Sequence, residues 1–440
     1  MTKQNENPAE LTLQWNLSNV KTHSSDFLYK YYPWIVITLC SFFLFYKYVL
    51  QVSPSVMTAP LMAEFHISGV ALGNLAATYF YAYLVTQLFV GPLLDRYSPR
   101  LLTAIAILIC AFGTLAFANT HSLLSAQLAR ALIGAGTAFA TVSYMKMSAI
   151  WFRPHQVAFV DGLLATAAMV GALCGQVPLT LMVTHSGWRE SLTYFGMFGV
   201  VFAFIFLFLA RDKNPHQIRI TPNETSRINF AAISALCKDK KNWLLTFYSG
   251  LAFTPIAVLG GLWGNPFFEV AHHLTSTEAA SYTSLIFLGL AFGGPLCGYI
   301  AGKTGKSLEV MIAGTLIGFV ALAIAIYIVT IPLWLFGLLL FIFGLTTGVF
   351  MLSFPLGKAL NPIPLAATVV SLINTGDALF GSFTEPLIGK FLDVLWDGTI
   401  VNNAHYFSLH NYHLALSILP IYLFLALGCL CILRSLSMTK

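Results

Sequence analysis

The chain has 440 residues, of which 57% are hydrophobic and 9% charged, and its formal net charge is +6. A soluble protein carries roughly 25% charged residues, so this composition excludes a water-soluble globular chain and puts most of the surface in hydrocarbon. The positive balance is not a nucleic-acid footprint, because the basic residues sort to one side of a series of apolar runs.

The first 33 residues are polar and uneven, with Lys3, Asn5, Glu6, Lys21 and Asp26. No secretory signal peptide precedes the first full-length run near Trp34, which reads as a retained signal anchor. Apolar runs then cover 34–56, 71–94, 101–118, 123–149, 157–183, 190–210, 243–266, 280–301, 309–330, 333–354, 365–389 and 412–433. Each approaches the roughly 20 residues that a spanning helix needs. They are too long and too uniformly apolar for barrel strands. An all-α membrane protein with twelve transmembrane helices is expected. Placed with the N-terminus inside, the basic residues collect in cytoplasmic segments. Arg189 and Lys390 fall in outer loops, and Lys47, Arg130 and Lys146 fall within spans. Both termini are therefore expected in the cytoplasm. Seven cysteines lack any metal-pair spacing and predict no disulfide.

Charges inside a span cost about 2.5–3.5 kcal/mol on insertion scales, so they persist where they face a wet cavity or a partner. In the first run Lys47 follows Tyr46, and Gln51 lies one turn on, on the same face. The second run ends in Gly91-Pro92-Leu93-Leu94-Asp95-Arg96-Tyr97-Ser98-Pro99-Arg100 and the third begins at once. In the fourth run Arg130, Gly134, Thr137, Thr141, Tyr144 and Ser148 recur at helical spacing as a small, polar stripe. Asp161 sits one turn into the fifth. The polar segment from Arg211 to Lys241 separates six runs from six. Tyr248 lies in the seventh run, where Trp263-Gly264-Asn265-Pro266 predicts a break. The eleventh run holds Asn374, Asp377 and Glu385. Asp377 is expected to couple protons or to hold a substrate ammonium, and Glu385 is a second proton-coupling candidate. Lys47 or Arg130 would meet a substrate carboxylate, with Tyr46, Gln51, Thr137, Thr141, Tyr144, Tyr248 and Asn374 lining the same site.

The stretch Gly91 to Arg100 matches the loop 2–3 signature of the major facilitator superfamily. Arg130-x-x-x-Gly134-x-Gly136 and Gly187-Trp188-Arg189 also resemble recurrent patterns of that family. A weak repeat, Gly298 to Lys306, follows the eighth run, with Gly302 at the place of Asp95. The stretch Tyr46 to Met57 resembles the first helix of the phagosomal transporter subgroup, which imports amino acids and related nutrients. The resemblance implies two six-helix bundles, 34–210 and 243–433. A cytoplasmic tail (1–33), a central cytoplasmic loop (211–242) and a short C-terminal tail (434–440) complete the chain. It implies one central site worked by alternating access. It also implies a cytoplasmic gate built from Gly91, Asp95, Arg96, Arg100 and Asp161. Pro362 and Pro364 mark a helix start near which Asp95 should sit.

The expected function is proton-coupled import of an amino acid or related nutrient across the cell inner membrane. Alternatives are a drug or metabolite antiporter, an organic anion symporter, or a non-transporting receptor or scaffold. No P-loop, HExxH or GxSxG is present, so no enzyme is expected. The expected partners are a small-molecule substrate, membrane lipid and a proton or Na⁺, with no cofactor, no metal, no nucleic acid and a monomer as the working unit.

Overall fold

The computed structural model describes residues 31–212, 236, 238–362 and 365–438. The N-terminal tail, Cys237 and most of the central loop lie outside the described residues. Helix α1 (Tyr31–Val56) tightens to a 3-10 turn at Ser53–Val56. A short α2 (Thr58–Phe65) leads to α3 (Gly69–Arg96), α4 (Pro99–Ala118) and α5 (Leu123–Trp151). Then follow α6 (Pro154–Cys174) and α7 (Val177–Leu209). The second set is α8 (Lys240–His272), α9 (Ser276–Thr304), α10 (Ser307–Tyr327) and α11 (Leu333–Leu360). It closes with α12 (Ala366–Leu395) and α13 (Leu409–Leu436). A small hairpin joins these last two, with β1 (Ile400–Val401) antiparallel to β2 (Ala404–His405).

The helix starts follow from local chemistry. Ser98 accepts a hydrogen bond from the Leu101 N–H, with Pro99 opening α4. Ser122 does the same for α5, and Thr275 with Glu278 forms a capping box on α9. Ten helical stretches among the described residues are long and apolar enough to cross a membrane. One of them, Leu163–Leu209, includes two interruptions. Its backbone breaks at Gly175–Gln176 and bends at Gly187 (φ 81°), a conformation that side chains other than glycine rarely adopt. The expected loop between the fifth and sixth runs is therefore a single glycine bend. The 30-residue α12 is long enough to cross but is less apolar, because it carries Asn374, Asp377, Glu385 and Asp393.

Helices α1 and α3–α7 pack as one set and α8–α13 as another, and the sets meet chiefly along α3 against α12 and α9 against α6. Close approach depends on missing side chains. A Cβ on Gly134 would stand 2.1 Å from the Tyr79 carbonyl oxygen, and one on Gly389 would stand 2.2 Å from that of Gly69. Between helices in lipid such contacts replace the hydrophobic drive of a soluble core. We expect Gly134→Val to destabilise the protein by roughly 1–3 kcal/mol, seen as a lower thermal midpoint in detergent. Gly298→Ala, with nothing within 4 Å of its added Cβ, should leave the midpoint unchanged.

A buried charged centre between the helix sets

Arg130 is a deeply buried charge. It is 1% exposed, and its Nη1 donates to the Leu50 carbonyl at 2.9 Å. The guanidinium lies 5.1 Å from the centre of the Tyr79 ring, a cation–π distance. Thr137 donates to the Tyr79 hydroxyl at 2.9 Å, and that hydroxyl donates to Gln51 Oε1 at 3.4 Å. Helices α1, α3 and α5 are thus joined around one cation. The proximity is possible because Gly134 lets α5 lie against the Tyr79 backbone.

Lys47, one turn along α1 from Gln51, is 5% exposed. Its Nζ sits 4.9 Å from the Tyr48 ring and 4.8 Å from the Tyr83 ring. Among the described residues no carboxylate forms an ion pair with Lys47 or Arg130. The first helix set therefore presents two buried cations, Arg130 held by the Leu50 carbonyl and the Tyr79 ring and Lys47 by the Tyr48 ring and Tyr83.

The second set supplies the acids. Glu385 is 1% exposed, and its backbone carbonyl accepts from the Trp263 indole at 3.1 Å. A wide π turn at Leu259–Trp263 brings Gly261 against the carboxylate. The expected break at Trp263–Pro266 is thus a widening just before it, after which the helix continues. Glu385 and Arg130 lie within each other's electrostatic reach without pairing. Glu385 Oε2 and Arg130 Nε are both buried without a hydrogen-bond partner. An unmet donor or acceptor of this kind costs about 1–3 kcal/mol. Asp377 is 7% exposed and accepts from Ser249 at 2.6 Å. Tyr48 feels the charges of both Lys47 and Asp377, which links the two sets.

On one side of this centre the helix sets close. A void of about 20 Å³, bounded by Tyr48, Gln51, Phe80, Phe253, Gly261 and Phe287, has room for about one water. A larger cavity, near 460 Å³, lies between α3 and α5 beside Asn74, Thr78 and Gln127. It contains no charged residue and is not this site. Beyond the void runs a buried hydrogen-bond chain. Thr283 donates to Asn265, Asn265 donates to Gln176 at 3.0 Å, and Gln176 donates to Ser55 at 3.1 Å and to the Gly260 carbonyl at 2.9 Å.

The remaining site candidates divide. Tyr46 turns away from the centre and donates to the Phe195 carbonyl at 3.1 Å. Tyr144 donates to the Val160 carbonyl at 2.7 Å, and Tyr248 meets Thr315 at 3.2 Å. These three hydroxyls tie helices within a set. Thr141 and Asn374 are half-buried. At the far end Asp95 pairs with Lys146 at 2.6 Å and is otherwise exposed. Arg96 lies over Tyr97. Arg100 donates from Nε to the Leu207 carbonyl at 2.6 Å, and its backbone N–H donates to Asp212 at 2.7 Å. Gly91 has open space beside it. Asp161 lies on α6 and its side chain is outside the described residues. Ser249, Gln176, Asn265, Ser55 and Asp212 were absent from the expected site residues, Asn265 being named only for the break in the seventh run. A polar side chain within an apolar run was the available signal for the first four.

The sequence profile of the Major Facilitator Superfamily matches residues 29–385. The chain is 26% identical over 400 residues to the uncharacterized transporter YybO of Bacillus subtilis (strain 168), covering 83% of this chain and 89% of that protein. It is 24% identical over 267 residues, 58% of each protein, to the probable L-galactonate transporter of Escherichia coli (strain K12). The fold is similar to the crystal structure of a bacterial homologue of the human lysosomal transporter Spinster, inward-facing and occupied. The TM-score is 0.75 at 16% identity, over 92% of this chain and 97% of that one. The chain belongs to the Major Facilitator Superfamily and is a multi-pass membrane transporter, not an enzyme.

Tyr79→Phe removes a hydroxyl that joins Thr137 to Gln51 beside Arg130. It should raise the KM of the transported solute roughly 2- to 12-fold, as the loss of about 0.5–1.5 kcal/mol implies. Tyr46→Phe and Tyr248→Phe should leave KM within about twofold and lower the thermal midpoint instead. Equal KM effects at all three positions would contradict this division.

Proposed function

We propose that this Major Facilitator Superfamily protein imports a small organic anion together with a proton, by alternating access of its two helix sets to one central site. The observation that carries the reading is the pair of buried cations, Lys47 and Arg130, with no carboxylate partner among the described residues. A carboxylate on the substrate would supply the missing counter-charge and accept from the unpartnered Arg130 Nε. The likeness to a relative named for L-galactonate supports a sugar acid or similar carboxylate as the class.

Glu385 is our first choice for the coupling proton, because it shares the electrostatic field of Arg130 and has an unpartnered oxygen. Asp377, hydrogen-bonded to Ser249, is the second. It also gives a specific reason to keep amino acids as a second substrate class. A carboxylate with a neighbouring hydroxyl is a fitting ammonium ligand, opposite cations that fit the carboxylate end.

The proposal includes twelve spans, counting the two limbs about Gly187 and α12, in two bundles (34–210 and 243–433) linked by 211–242. Both termini (1–33 and 434–440) face the cytoplasm of an inner membrane, and one chain is the working unit. Asp95, Arg96, Arg100, Gly91 and Asp161 serve the cytoplasmic gate. Positive-inside sorting supports the orientation.

Uptake into proteoliposomes tests the reading. A sugar acid such as galactonate should accumulate when the outside is acidic, and a protonophore should abolish accumulation. Arg130→Gln and Lys47→Gln should each lower uptake at least about tenfold. Glu385→Gln should stop accumulation yet preserve solute exchange across the membrane. Amino acid uptake that sugar acids do not inhibit would replace the anion reading. Accumulation unaffected by protonophore would remove the proton.

A further inference from the structure

We propose that Asp393 is the latch of the outer gate, holding the helix sets together on the side opposite Asp95. The proposal rests on the orientation and alternating-access reading above. Asp393 lies near the C-terminal end of α12 and reaches across to the other set. Its Oδ1 accepts from the Gly69 N–H and its Oδ2 from the Val70 N–H, each at 2.7 Å. Those are the first two amides of α3, donors that a helix leaves unsatisfied at its start. The carboxylate also places a negative charge where the helix dipole favours one.

The surroundings are built for this contact. The backbones of Gly69 and Gly389 touch, so close that a Cβ on Gly389 would fall 2.2 Å from the Gly69 oxygen. Gly73 lies against the backbone of Glu385 and Pro386 in the same way. The Tyr81 hydroxyl donates to the Ser382 carbonyl at 3.2 Å. His405, stacked on Trp396 at 3.8 Å, covers the outer face of the carboxylate, with Nδ1 3.9 Å from Oδ1. The hairpin that follows α12 thus holds Asp393 in place and keeps its side chain only 20% exposed.

Helices α3 and α12 run antiparallel, since the start of α3 meets the end of α12. Each carries an aspartate at its C-terminal end, Asp95 on α3 and Asp393 on α12. In this structure Asp393 is engaged across the interface, whereas Asp95 is exposed and, among the described residues, pairs with Lys146 of its own set. The two acids are therefore placed to latch opposite ends of one helix pair, and here the outer latch is closed. The nearby Ser55–Gln176–Asn265 chain also crosses the interface, so losing Asp393 alone loosens the outer gate rather than abolishing it.

The test reads conformation without any substrate. In a background with the seven native cysteines replaced, Ala257→Cys places a thiol beside the void under the outer gate. Whole cells are treated from outside with a membrane-impermeant thiosulfonate. Asp393→Asn should speed labelling roughly 5- to 30-fold, the factor for a 1–2 kcal/mol shift. Val70→Pro removes one donor while leaving Asp393 intact, at a position in the first turn where proline is tolerated. It should shift labelling in the same direction, so the test survives poor folding of either variant. Unchanged labelling in a variant that remains monodisperse with a wild-type thermal midpoint would overturn the latch. That result would leave the transport reading standing, because uptake is measured separately.

Discussion

The arrangement depends on a guanidinium held deep between helices with no carboxylate paired to it among the described residues. Arg130 is fixed by the Leu50 carbonyl and the Tyr79 ring, which orient the charge without neutralising it. Charge in a low-dielectric interior is costly unless paired and hydrogen-bonded. A protein built only for stability would place an acid beside it. Here an acid in its electrostatic reach, Glu385, belongs to the other helix set, and among the described residues the two form no ion pair. The centre therefore remains electrostatically unfinished, and its completion is linked to the position of one helix set against the other.

That constraint explains why glycine and tyrosine are placed as they are. Gly134 lets α5 approach α3 until Arg130 reaches the Tyr79 ring. Gly261, in the π turn of α8, leaves room for the Glu385 carboxylate. Tyrosines give an apolar body that packs in lipid and a hydroxyl that bonds. Tyr79 and Tyr83 spend this property on the centre, whereas Tyr46, Tyr144 and Tyr248 spend it on tying helices within a set.

Helices were legible in the sequence because several boundaries have a local cause. Apolar runs end where Ser98, Pro99, Ser122 and Thr275 supply caps and turns, and the apolar periodicity needs no tertiary information. Arg130, Lys47, Asp377 and Glu385 were legible for a related reason, since a charge in a long apolar run demands an explanation. Rotation about each helix axis was not legible. Tyr46 and Tyr48 are two residues apart, yet one faces Phe195 inside the first set and the other faces Lys47 and the interface. Only packing between helices decides that. Asp393 was missed because it sits at the end of a run, where an acid reads as a solvated loop residue. Its partners are backbone amides more than 300 positions away, and amides have no sequence signature.

Under the proposed import of an anion with a proton, the charged centre would couple the two ligands without their touching. An anion on Arg130 would lie in the field of Glu385, and a negative charge on both would repel. Binding the anion therefore favours the protonated carboxyl, and protonating the carboxyl favours the anion by the same factor, as linkage requires. Coupling of about 1–3 kcal/mol is typical of linked sites. The coupling needs no relay between them. It needs only that the two groups sit on opposite helix sets, so that neutralising the centre removes the cost of bringing those sets together around a loaded site.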